Sequence, residues 1–264
     1  MQRNLFVGVF AASVFAAIPT KAQTNFMQFQ SAPERTALLE LYTSEGCSSC
    51  PPAETWLSGL KESPRLWKDF APVAFHVDYW NYLGWKDAWS DAEFSERQRS
   101  YAQFWHSENI YTPELVLSGK EWHNWFTGKT GPKSDGENVG VLTVASDDRK
   151  LWHVSFAPKK DQAARYEVHA ALLAGGIISD VKAGENSGRQ LHHDFVAVIL
   201  LQIGLTTSNG VAKGRFILTA PKSSVGSTRA LAVWVTKADA LEPIQATGGW
   251  LLAPDKKLSV RNLR

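Results

Sequence analysis

Residues 36–43 (TALLELYT) form an apolar run with β-favouring residues at its end, short enough for a buried strand. Residues 52–61 (PAETWLSGLK) change rhythm: Ala53, Trp56, Leu57 and Leu60 recur at helical spacing until Pro64 stops them. Residues 72–80 (PVAFHVDYW) predict a second strand. Residues 91–105 (DAEFSERQRSYAQFW) predict a helix capped by Asp91, with Phe94, Arg97, Tyr101 and Phe104 on one side. A short strand follows at residues 114–118 (ELVLS), turning at Gly119. The order β-α-β-α-β implies parallel strands joined by crossovers, an α/β architecture.

The second half has another pattern. Residues 131–140 (GPKSDGENVG) have the composition of a linker. Strand-like runs follow at residues 139–145, 151–156, 166–173, 195–205, 215–219 and 229–236, separated by turn-forming clusters. Several alternate, as Val168, Ala170 and Leu172 do. The expectation is an α/β first domain and a β-rich, sandwich-like second domain spanning residues 138–254.

The first residues stand apart from both. Arg3 precedes the apolar residues 5–18, a run too short to cross a bilayer, and Thr20-Lys21-Ala22 supplies small residues for a cut. Residues 1–22 therefore read as a signal peptide cleaved near Ala22, leaving no membrane span. This places the protein outside the cytoplasm, periplasmic or secreted. Net charge is +2, and without Arg3 and Lys21 the basic residues equal the 26 acidic ones. A balanced chain with no basic run argues against nucleic acid as a partner.

Only two cysteines occur, Cys47 and Cys50, at the junction between the first strand and the first helix. A bridge closing so short a loop contributes roughly 2 kcal/mol in the chain-entropy model, so it is a weak staple. Two thiolates supply half a tetrahedral zinc site, and no second pair completes it. A redox role has a physical basis. A helix start offers free N–H groups and the positive end of the macrodipole, which favour a thiolate. Cys47 would be the nucleophile and Cys50 the resolving thiol. Ser48 and Ser49 are small and leave the sulfur reachable, and Gly46 permits a tight turn. Pro51 and Pro52 fit only a first helical turn and set its start near Cys50.

The segments ALLELYTSEGCSSCPPAETWL, VAFHVDYWNYLGW and YTPELVLSG resemble the thioredoxin fold. They are most similar to an uncharacterised family of exported bacterial thioredoxin-like proteins, domain-of-unknown-function family 1223. The likeness is strong over residues 36–120 and implies a thioredoxin-like domain over residues 36–130. It further implies a cis Pro113 facing the cysteines, with Thr112 offering backbone to a substrate strand. It also implies a proton-transfer role for the buried acid Glu40. The expected closing strand is residues 121–126 (EWHNWF), but residues 128–138 are too rich in Gly, Pro and Lys for the expected last helix.

Around the pair, His76 and Asp78 share one strand face. Tyr79, Trp80, Tyr82, Trp85 and Trp89 form an aromatic group that either roofs the site, with Trp80 and Trp85 touching substrate, or joins the domains. Glu45 is expected to be exposed. The favoured reading is thiol–disulfide exchange with a protein or small thiol, served by a partner redox protein and needing no organic cofactor. One rival is a metal or copper(I) site made by Cys47, Cys50 and His76. Another is a binding module with an inert disulfide. Gly128-Lys129-Thr130 lacks the leading glycine and strand–helix context of a phosphate loop. His192 and His193 would face opposite ways on a strand; His106, His123, His153 and His169 stand isolated.

Overall fold

The computed structural model describes residues 26–127, 131–160, 164–219 and 226–252. The expected signal peptide with its cut near Ala22, and the residues 128–130, lie outside these. No helix among the described residues is long and apolar enough to cross a membrane.

β1 (Met27–Gln30) opens the described chain, and β2 (Ala37–Thr43) follows, buried along its whole length. α1 (Pro51–Gly59) starts where the two prolines require it, with Cys50 as N-cap. The Cys50 carbonyl accepts the N–H groups of Ala53 (2.9 Å) and Glu54 (3.2 Å), the first donors the prolines leave. β3 (Phe70–His76) runs parallel to β2 and ends with His76 beside Thr43. α2 (Ala92–Phe104) is capped as expected, the Asp91 carboxylate accepting the Glu93 N–H. Its side facing inward carries Phe94, Arg97 and Tyr101, whereas Phe104 is half exposed. The Thr112–Pro113 peptide is cis. β4 (Glu114–Leu117) then pairs antiparallel with β2. Where residues 121–126 were expected as a strand, only β5 (Lys120–Glu121) forms, followed by a 3-10 turn at Trp125–Thr127.

The second half supplies β6 (Gly140–Ser146), β7 (Leu151–Pro158), β8 (Tyr166–Gly175), β9 (Ile177–Asp180) and β10 (Gln190–His193). It continues with β11 (Val196–Ser208), β12 (Val211–Ile217), β13 (Thr228–Lys237) and β14 (Gln245–Leu252). The fold class departs from the expected α/β thioredoxin-like domain followed by a β-rich sandwich. The protein is mostly β, and a single mixed sheet of 12 strands runs through both halves: nine follow the order β1-β6-β7-β12-β11-β3-β2-β4-β5, and β8, β13 and β14 branch from β11, β8 pairing with β11 and with β13, and β13 with β14. The strand responsible is β11. At its start Val196 pairs parallel with Ala74 of β3, and at its end residues 206–208 pair with β12. The edge of β3 opposite β2 is thereby paired at Ala74, whose N–H donates to the Phe195 carbonyl at 2.8 Å.

β8 and β13, joined over ten residue pairs, form a wall between two cores. Alternation assigns the faces: Val168, Ala170, Leu172, Leu231, Val233 and Val235 join one core, while Ala171, Leu173, Ala230, Ala232 and Trp234 join the other. These strands are therefore apolar on both faces. β9 and β10 form a separate two-stranded sheet. The loop at their tip reaches back to the cysteines.

Candidate functional site

The cysteine loop leaves the end of β2 and turns into α1. Cys47 and Cys50 are joined as a disulfide, and both side chains are fully buried. This overturns the expectation of a reachable Cys47; the exposed residues are its neighbours Ser48 and Ser49. Cys47 Sγ lies 3.3 Å from Ser49 Oγ and 3.7 Å from the carbonyl oxygen of Thr112, the residue before the cis bond. Ser49 Oγ donates to the same carbonyl at 3.3 Å. The Trp80 indole N–H donates to Thr112 Oγ1 at 2.8 Å, which fixes this segment beside the sulfur. Gly46 has a steric reason as well: a Cβ there would stand 2.9 Å from Trp80 Cβ.

The cover over the loop comes from residues 181–189, between β9 and β10. Asn186, fully buried, donates its amide to the carbonyl oxygens of Glu45 and Cys47, each at 2.9 Å. The Ser48 N–H donates to Glu185 Oε2 at 2.9 Å. Hydrogen bonds from Ser48 hold the Glu185 carboxyl below the usual carboxylate range.

Beneath the loop lies a buried group of carboxylates and imidazoles. Glu45, expected at the surface, is buried. It accepts from the Trp85 indole at 2.6 Å and meets His193 Nε2 at 3.1 Å. His76 Nδ1 lies 2.7 Å from Asp87 Oδ2, which also accepts the Glu45 N–H at 2.9 Å. Glu54, on the buried side of α1, accepts from Thr43 Oγ1 at 2.6 Å through Oε1. Its Oε2 lies 2.9 Å from His193 Nδ1, off the direction of a ring N–H, so the close approach is not an aligned hydrogen bond. The two imidazoles meet edge to face, 5.1 Å between centroids.

Burial alone pushes the His193 imidazole down, but the flanking Glu45 and Glu54 outweigh it and raise it to about 10. Burial favours the neutral form of Glu54 and Asp87, yet contacts with His193 and His76 respectively hold both carboxyls below their ordinary range.

Other expected site residues fall elsewhere. Glu40 is fully buried, salt-bridged to Arg97 Nε at 2.7 Å and accepting from the hydroxyls of Tyr42 (3.0 Å) and Tyr101 (2.7 Å). It sits in a network with α2, and among the described residues its hydrogen bonds run to Arg97, Tyr42 and Tyr101 rather than to the cysteines. Asp78 pairs with Ser95 rather than His76. Tyr79 bonds Gln98 at 3.1 Å, and Tyr82 is exposed. Trp80 and Trp85 both brace the cysteine loop. The set Cys47, Cys50 and His76 is not a ligand cluster here, since the thiols are consumed in the disulfide. The residues that sequence reasoning missed are Glu45, Glu54, Asp87, Glu185, Asn186 and His193. For Glu54 a signal existed: an acid directly beside Ala53 on the apolar side of a short helix.

A crystal structure of a protein from Agrobacterium tumefaciens is similar in fold, with a TM-score of 0.59 and 20% identity, covering 84% of this chain and 96% of that one. HBP35 of Porphyromonas gingivalis is similar with a TM-score of 0.57 and 14% identity, covering 86% of this chain and 77% of that one. At such identities the likeness concerns the fold alone. A search of curated proteins finds no match. The model of a family described as protein of unknown function (DUF1223) matches residues 38–236, and the chain belongs to that family.

Proposed function

We propose that Cys47 and Cys50 form a redox couple whose access is gated by the loop between β9 and β10. The observation that carries this reading is how the pair is covered. Cys47 lies against the Thr112 carbonyl beneath two exposed serines, and the cover is polar: Asn186 and Glu185 hold it through hydrogen bonds to the loop backbone. Such contacts exchange with water when the loop lifts, unlike an apolar seal. A bridge over so short a loop adds little stability to a chain with two large cores, so a purely structural role explains little.

With the cover open and the pair reduced, the Cys47 thiolate attacks one sulfur of a substrate disulfide. One substrate thiolate leaves and a mixed disulfide forms. Cys50 then attacks the Cys47 sulfur, the second substrate thiolate leaves, and Cys47–Cys50 closes again. Two protein thiols are oxidised, one substrate disulfide is reduced, and the two thiol protons pass to the departing thiolates. A partner redox protein or a small thiol restores the dithiol; run backward, the same steps oxidise a substrate. The start of α1 favours the Cys47 thiolate, while the Glu185 carboxylate held at the Ser48 N–H adds negative charge to the neighbouring residue of the loop. Opening therefore exposes the sulfur and removes a like charge together. An exported location, where a disulfide persists, fits this reading.

The test uses Cys50→Ser and Cys47→Ser proteins challenged with an aromatic disulfide and with oxidised glutathione. Cys50→Ser should accumulate a mixed disulfide on Cys47 while folded. If both variants react only as fast as the protein globally unfolds, the redox reading fails.

A further inference from the structure

The geometry points to Glu54, His76 and His193 as the ligands of a buried divalent transition-metal ion of the zinc type, a site separate from the cysteine pair. One donor atom from each lies within 4.8 Å of the others, and all three side chains are buried. The donors come from three elements: Glu54 from α1, His76 from the end of β3 and His193 from the end of β10.

Two observations separate this group from an ordinary buried ion-pair network. His76 Nε2 is fully buried and has no hydrogen-bond partner among the described residues. A buried imidazole nitrogen left bare is costly, and a metal ion accounts for it. His193 Nδ1 likewise lacks an aligned hydrogen bond, although Glu54 Oε2 stands 2.9 Å away. Two donors each about 2.1 Å from a common ion stand about 3.0–3.4 Å apart at ordinary coordination angles. The 2.9 Å between His193 Nδ1 and Glu54 Oε2 needs a shift of only a few tenths of an ångström, and an ion binding all three closes the wider spacing to His76 by drawing its ring inward.

The outer contacts are those that metal-bound histidines require. Each imidazole directs its other nitrogen at a carboxylate: His76 Nδ1 at Asp87 (2.7 Å) and His193 Nε2 at Glu45 (3.1 Å). That arrangement fixes the ring orientation and leaves the inner nitrogen free to ligate. Glu54 is oriented in the same way, its outer oxygen held by Thr43 at 2.6 Å. Three carboxylates face the two imidazoles, so a dication bound between them would lie against compensating negative charge. Two imidazoles and one carboxylate suit zinc, cobalt(II) or iron(II) and are a poor set for calcium or magnesium, which prefer oxygen.

The ion would tie α1 and β3 to the β10 end of the hairpin that covers the cysteines. The consequence is that metal binding stiffens the cover. Entry to so enclosed a site takes place during folding or through hairpin opening.

The full-length purified protein is assayed for metal content, stripped with chelator, and reloaded with Zn2+ or Co2+ both natively and during refolding. One Co2+ per chain with visible absorption bands is expected, and Zn2+ should raise the Tm. Glu54→Gln and His76→Gln should each lose tight binding, and Asp87→Asn, which keeps every ligand, should weaken it roughly 10–100-fold. A Cys47→Ser/Cys50→Ser double variant should bind as wild type does. The inference is overturned if wild type takes up no ion under either loading condition. It is equally overturned if Glu54→Gln and Asp87→Asn bind unchanged, or if the double cysteine variant loses the ion.

Discussion

Replacing Asn186 with alanine tests the gate most directly. Its amide is the one buried side-chain group among the described residues that bonds two carbonyls of the cysteine loop, those of Glu45 and Cys47, each at 2.9 Å. A net value of about 1 kcal/mol per hydrogen bond makes the loss about 2 kcal/mol for the closed cover, since the open loop recovers both bonds from water. At 1.4 kcal/mol per factor of ten, the open population rises about 30-fold. When opening and closing are fast relative to attack, the reduction rate scales with that population. The assay is the time course of reduction by excess dithiothreitol, quenched with a maleimide and read by mass shift. The acceleration should persist well below the unfolding transition and depend weakly on urea, because local opening exposes little surface. A reduction rate within a factor of two of wild type would refute the gate, as would a rate whose urea dependence follows global unfolding.

Glu185→Gln weakens the Ser48 contact and removes a charge, so disulfide reduction should accelerate by a smaller factor than in Asn186→Ala, and reduced Cys47 should become more acidic in a thiolate-absorbance titration. Gly46→Ala places a Cβ 2.9 Å from Trp80 Cβ, so near-ultraviolet circular dichroism should report a displaced indole and the Tm should fall. Arg97→Met strands the buried Glu40 carboxylate, and urea unfolding should show a loss of about 3–5 kcal/mol at neutral pH. His169 is buried in β8 with its ring stacked on Trp234; burial, with the Arg97 charge second, pushes it down to about 3. Its folded value lies below the unfolded one, so its contribution is complete above pH ~6.5 and is lost as pH falls toward 3, about 3 kcal/mol of it by pH ~4.5. His169→Phe should flatten that acid limb in urea titrations at stepped pH, and an unchanged slope would contradict the assignment.

Local chemistry made part of this protein legible in its sequence. The prolines at 51 and 52 set the start of α1, Asp91 capped α2, and the spacing of Cys47 and Cys50 marked the strand–helix junction, because each effect acts within a turn of chain. The resemblance to a known family supplied the cis peptide before Pro113. Tertiary structure alone decided the rest. An apolar run marks β11 as a strand, of which only Val196 and Ala197 are buried, but nothing local shows that Val196 pairs with Ala74 across more than a hundred residues and merges the two halves into one sheet. Position along the chain likewise hid the group made by Glu45, Glu54, His76, Asp87 and His193. Each is an ordinary polar residue in its own segment, and their chemistry exists only where parallel pairing of β2 with β3 and folding back of β10 bring them together out of water.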